Sequence, residues 1–120
     1  MTKIFFVILI SFLHISCSSS NVTKVDKEIS KQWKLDKHGC KGYRDSEKAR
    51  KLISAYKIEN GSFDNAIKAL GEPDTMINQE VYYYFDGLCS NSNLVDSADI
   101  CYLRFKITDN IVSRIAITCL

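Results

Sequence analysis

The chain has 120 residues, 46% of them hydrophobic and 25% charged, with 16 Lys+Arg against 14 Asp+Glu and a formal net charge of +2. That length supports one modest hydrophobic core and leaves no material for a second large domain. The near balance of charge excludes the basic footprint of a nucleic-acid binder, and more so once Lys3 is set aside.

The first predicted element is an export signal over residues 1–16. Lys3 precedes an apolar run from Ile4 to Leu13, and charged residues resume only at Lys24. A membrane span needs roughly 20 apolar residues, about twice what this run offers, whereas a short greasy core behind a basic start is the pattern of a cleaved leader. The run closes on "LHISC", which resembles the lipobox of bacterial lipoproteins, with Cys17 as the lipidated first residue of the mature protein. His14 departs from the aliphatic residue usual there. Ordinary cleavage after Ser18, with Ser16 and Ser18 as the small residues of the site, is the alternative. Residues 17–32 read as lipid anchor and polar tether, turning helical toward Trp33, with the folded domain spanning 33–120.

Two helices follow. "DSEKARKLISAY" opens on Asp45 or Ser46 as N-cap and places Ala49, Leu52, Ile53 and Tyr56 on one stripe. "SFDNAIKALGEP" repeats that spacing with Phe63, Ala66, Ile67 and Leu70. Ser62 caps its start, Gly71 takes the left-handed closing position, and Pro73 prevents continuation. "IENG" between them is short enough to make a hairpin.

The last third changes period. Residues 80–86, 100–108 and 111–119 are rich in β-branched and aromatic side chains and predict three strands. Asp109-Asn110 forms a two-residue hairpin turn between the second and third. Alternation places Val81, Tyr83, Phe85, Cys101, Leu103, Phe105 and Ile107 toward the helices. Tyr82, Tyr84, Tyr102, Arg104 and Lys106 fall on the opposite face as a candidate protein-binding surface, because Tyr and Arg are what binding centres favour. A cross-strand stack that only stabilises the sheet, such as Tyr84 over Arg104, is the competing reading. Val112 shares a face with Ile115 and Ile117 only if a bulge lies near Ser113, and that bulge puts Cys119 opposite Cys101. The predicted fold is α+β in two layers, a helical hairpin on a three-stranded antiparallel sheet.

With Cys17 set aside, Cys40, Cys89, Cys101 and Cys119 are an even set in an exported chain, which predicts a disulfide framework. The expected pairing joins Cys89 to Cys101, closing the polar loop between the first two strands, and Cys40 to Cys119. The alternative joins Cys101 to Cys119 and leaves Cys40 for Cys89. No C-x-x-C pair occurs, and His38 with Cys40 lacks a second ligand pair, so no metal or cofactor is expected. Motifs of a phosphate-binding loop, a nucleophile elbow or a zinc protease are missing from the sequence, so no catalytic residue is assigned.

The stretch "NGSFDNAIKALGEPD", a capped short helix ending in Leu-Gly-x-Pro, followed by "VYYYF" and "YLRFKITDNIVSRIAI", resembles the SmpA/OmlA (BamE-like) family of small bacterial lipoproteins. The β-lactamase inhibitor protein shares that architecture in duplicated form. The resemblance covers about residues 44–120 and implies a helix-helix-strand-strand-strand domain. With Ser18 next to Cys17 and no early acidic run, the resemblance to bacterial lipoproteins implies retention on the periplasmic side of the outer membrane, with an envelope protein as the expected partner. The function expected is a non-enzymatic protein-binding module. An inhibitor or immunity-type lipoprotein and a small-ligand-binding lipoprotein are the alternatives. A domain this small has little room for a ligand cavity of several hundred Å³.

Overall fold

The computed structural model describes residues 22–85 and 101–119. The expected leader, the expected lipidation site at Cys17 and the segment bearing Cys89 therefore lie outside the described residues.

Helix α1, Lys24–Leu35, starts at a capping box: the Thr23 hydroxyl accepts from the Asp26 backbone N–H at 3.1 Å and the Asp26 carboxylate accepts from the Thr23 N–H at 3.0 Å. This helix occupies most of the stretch predicted to be tether. Its polar sequence hides a packing face of Ile29, Ser30 and Trp33, spaced to recur on one side. Trp33 is fully buried, edge-on to Phe85 with ring centroids 5.5 Å apart. The Ser30 hydroxyl donates to the Ala69 carbonyl at 2.6 Å, which satisfies a buried polar group and ties α1 to the third helix.

Helix α2, Ser46–Ala55, is capped by the Asp45 side chain accepting from the Lys48 N–H. Helix α3, Phe63–Leu70, starts at Ser62, whose side chain makes no capping hydrogen bond, and closes at Gly71 with the predicted positive φ (75°) but an extended ψ of −167° in place of the left-handed helical cap. Ala49 and Leu52 of α2 are buried as expected. In α3 the buried residues are Ala66, Ala69 and Leu70, with Phe63 packed at the margin. Ile67, predicted to be core, is only half-buried, and Ala69 is buried instead, where α1 meets α3 and the Ser30 hydroxyl reaches the Ala69 carbonyl.

Among the described residues the sheet has four antiparallel strands in the order β1-β2-β3-β4. They are β1 Thr75–Ile77, β2 Glu80–Tyr84, β3 Cys101–Thr108 and β4 Ile111–Cys119. The fold is α+β, as predicted, with one strand and one helix more than the sequence suggested. Strand β1 turns into β2 through Asn78 and Gln79, both at positive φ (50° and 70°). The predicted Asp109-Asn110 turn has the same left-handed pair, φ 50° and 63°, the backbone that matches strand twist.

The bulge falls where the hydrophobic pattern required it. Arg104 pairs with Ala116 and Lys106 with Ser113, so Arg114 and Ile115 together oppose Phe105, and Arg114 takes φ 53°. Val112 is thereby fully buried, and Ile115 and Ile117 pack on the core with it. The inner sheet face carries Val81, Tyr83, Phe85, Leu103 and Phe105, all at most 2% exposed. Each such side chain contributes about 1.5–3 kcal/mol by leaving water.

One disulfide joins Cys101 to Cys119, directly opposed across β3 and β4 with a Cα–Cα distance of 4.0 Å. This corrects the expected pairing: Cys101 closes onto the last strand and Cys119 is not available to Cys40. The bulged register decides it, because two cysteines facing each other on adjacent strands meet before either finds a loop. Cys40 is itself disulfide-bonded.

Candidate functional site

The segment between α1 and α2 is built around two buried carboxylates and one buried guanidinium. Asp36 is fully buried and accepts backbone N–H bonds from Lys41 (2.6 Å), Tyr43 (2.8 Å) and Arg44 (3.2 Å), folding the segment around itself. Arg44 Nε donates to the Trp33 carbonyl at 2.9 Å, and its Nη1 donates to Asp74 Oδ2 at 2.7 Å and to the Tyr84 carbonyl at 3.2 Å. The guanidinium carbon lies 5.0 Å from the Trp33 ring centroid. Asp74 also accepts the Tyr84 N–H at 2.8 Å and the His38 N–H at 2.9 Å. Arg44 thus clamps α1, the end of α3 and strand β2 together. A buried ion pair of this kind specifies geometry, and removing one partner costs about 3–5 kcal/mol.

His38 and Cys40 belong to this structural set. His38 Nδ1 is 3.8 Å from Asp74 Oδ1, and Cys40 is committed to a disulfide, so its sulfur is not a thiolate ligand or nucleophile. Among the described residues no group of three or more His, Cys, Asp or Glu could hold a metal ion. Gly39, at φ 71°, packs so closely on the end of β2 that an added Cβ would strike the Phe85 and Tyr84 carbonyls. A shallow depression at the end of α2, lined by Arg50, Ile53, Ser54, Lys57 and Glu59, is open to solvent.

The outer sheet face is different in kind. Residues directly opposed across strands share a face, so the register lays it out in full. Tyr82 stands between Thr75 and Arg104, Tyr84 faces Tyr102, Glu80 lies between Ile77 and Lys106, and Ser113, Ala116 and Thr118 complete it on β4. The structure brings together all five residues predicted for the face, each half-buried. Tyr102 is the hub, with ring centroids 5.6 Å from Tyr82 and 6.2 Å from Tyr84. Arg104 stands opposite Tyr82 rather than Tyr84, which corrects the suggested Tyr84–Arg104 stack.

Two hydrogen bonds hold the rings still. Tyr82 Oη donates to Glu80 Oε2 at 2.8 Å and Tyr84 Oη donates to Thr75 Oγ1 at 3.3 Å. The bond to the Glu80 carboxylate raises the Tyr82 pKa above its ordinary value, since ionised phenolate would face a like charge. Arg104 and Lys106 enter no ion pair among the described residues. No described helix lies over this face, since the helical core residues pack on Val81, Tyr83, Phe85, Leu103 and Phe105. Sequence reasoning missed Thr75 and Glu80, which set the ring positions, and the small residues of β4 that make a flat shelf beside them. Only the register supplies them.

Comparison with protein-family models, with curated proteins and with solved structures finds no match. The functional reading therefore rests on the chain's own residues and geometry.

Proposed function

We propose that this chain is a lipid-anchored protein-binding module of the bacterial cell envelope, attached through Cys17 on the periplasmic side of the outer membrane, with the outer sheet face as its contact surface and no catalytic role. SmpA/OmlA-type membership is part of the proposal and rests on the sequence motifs. The observation that carries it is the preorganised stack of Tyr82, Tyr102 and Tyr84 beside Arg104 and Lys106, which enter no ion pair among the described residues. Rings already held by neighbours lose little freedom on binding, and a guanidinium without a partner is available to one. The leader and the polar stretch after Cys17 support the location.

The test pairs thermal melting with crosslinking capture from envelope membranes using the natively anchored protein. Tyr84→Ala and Arg104→Ala should each weaken capture by more than about 1 kcal/mol, roughly fivefold, while melting close to wild type. Phe105→Ala, in the core, should lose about 3–5 kcal/mol of stability. If Tyr84→Ala melts as early as Phe105→Ala and has no separate effect on capture, the tyrosines are ladder residues and the proposal fails.

A further inference from the structure

Helix α1 carries a basic stripe on the side opposite the tyrosine face. Lys24, Lys27, Lys31 and Lys34 recur at spacings of three and four, which confines them to an arc of about 80° on the helix. All four are exposed, as is Lys37 just beyond the helix. None enters an ion pair among the described residues. The acids of the helix lie off the stripe, Asp26 about 80° from Lys34 and exposed Glu28 about 40° from Lys24, and Asp36 is buried under backbone donors. One apolar side chain borders the lysines: Leu35, 56% exposed, falls about 20° beyond Lys24 around the helix, whereas Val25 falls about 100° beyond it. The other side of α1, through Ser30 and Trp33, is fixed to the core, so the stripe has a fixed direction in the molecule.

We propose that this lysine face docks the domain on an anionic lipid surface. The inference rests on the proposed lipid at Cys17. Only residues 18–23 separate that cysteine from Lys24, so the start of α1 is held within about 25 Å of the attachment point. Acyl chains fix distance but not orientation. A helix with lysines along one side and an apolar residue at its margin is suited to lie in the headgroup layer, where clustered lysines gain from negative surface potential. Soluble polyanions match the charge but offer nothing to Leu35, and no tether brings them near. Docked this way, the two-layer fold turns Tyr82, Tyr84 and Tyr102 away from the membrane, toward envelope partners.

The experiment is amine-reactive footprinting of the mature, anchored protein in vesicles of phosphatidylcholine, with or without about one third phosphatidylglycerol. Labelling of Lys24, Lys27, Lys31 and Lys34 should fall about threefold or more in anionic vesicles only, and return in about 0.5 M NaCl. Lys106, on the tyrosine face, should label equally in both and serves as internal reference. Equal labelling of the stripe in both vesicle types overturns the proposal. So does protection by added heparin on neutral vesicles without any effect of anionic lipid. The intact mass of the same sample reports acylation of Cys17 separately, so an unlipidated chain sinks the anchor reading while the footprint comparison still judges the stripe.

Discussion

Tyr83 shows how much of this protein a single residue can carry. Its ring fills the inner sheet face and its hydroxyl donates to the Gly71 carbonyl at 2.7 Å, fastening β2 to the end of α3. Burial pushes the phenol well above its ordinary pKa. A phenol with a raised folded-state pKa contributes stability that is fully present below the unfolded value of about 10 and is lost as pH rises beyond it. Melting temperature should therefore hold through neutral pH and fall once pH passes about 10. Tyr83→Phe, which keeps the ring, should cost about 1 kcal/mol at neutral pH and flatten the alkaline fall. An unchanged alkaline fall in that variant would reassign it to other groups. Tyr83 was legible as core from alternation alone, but its hydroxyl partner was not, because a contact between residues twelve apart depends on how α3 ends. Arg44 was invisible for the same reason: nothing local distinguishes a buried arginine until Trp33, Asp74 and Tyr84 converge on it.

At the scale of elements, periodicity carried most of the information. The stripes of α2, the alternation of β2 and β3, the Asp109-Asn110 turn and the β4 bulge all follow from patterns a few residues long. Three elements escaped. Strand β1 is three residues long and its turn, Asn78-Gln79, lacks the glycine that usually marks a hairpin. Helix α1 buries so narrow a stripe that its lysines dominate its composition. The disulfide pairing depended on whether the bulge was taken literally, and Cys101 facing Cys119 shows that it should be. With Cys101 and Cys119 joined, and Cys17 proposed as the anchor or as lost with a leader, the partner proposed for Cys40 is Cys89, which lies outside the described residues. Non-reducing peptide mapping should find Cys101–Cys119 and Cys40–Cys89 as the two linked pairs. A Cys40–Cys119 or Cys89–Cys101 peptide would contradict this. Losing the β3–β4 bond, by replacing both of its cysteines with serine, should cost about 3 kcal/mol on the chain-entropy estimate for a loop of this size.

Taken as a whole, the molecule has two dissimilar sides separated by one core. The helical side presents lysines, the sheet side presents tyrosines with Arg104 and Lys106, and Arg44 with its two aspartates locks the connecting segment between them. The sequence sufficed for the membership of the tyrosine face, because alternation alone assigns it. It did not suffice for the helical side, where exposure of the lysines depends on Trp33 being anchored beneath them. The central claim, that the sheet face meets a protein, is tested most directly by site-specific photocrosslinking in intact envelopes. A photoreactive side chain at position 118, beside Tyr102 on the shelf of β4, is compared with one at position 68, exposed on α3. The account predicts a discrete protein adduct from position 118 that Arg104→Ala diminishes, and none from position 68. An adduct from position 68 with none from position 118 would place the contact on the helices and contradict it.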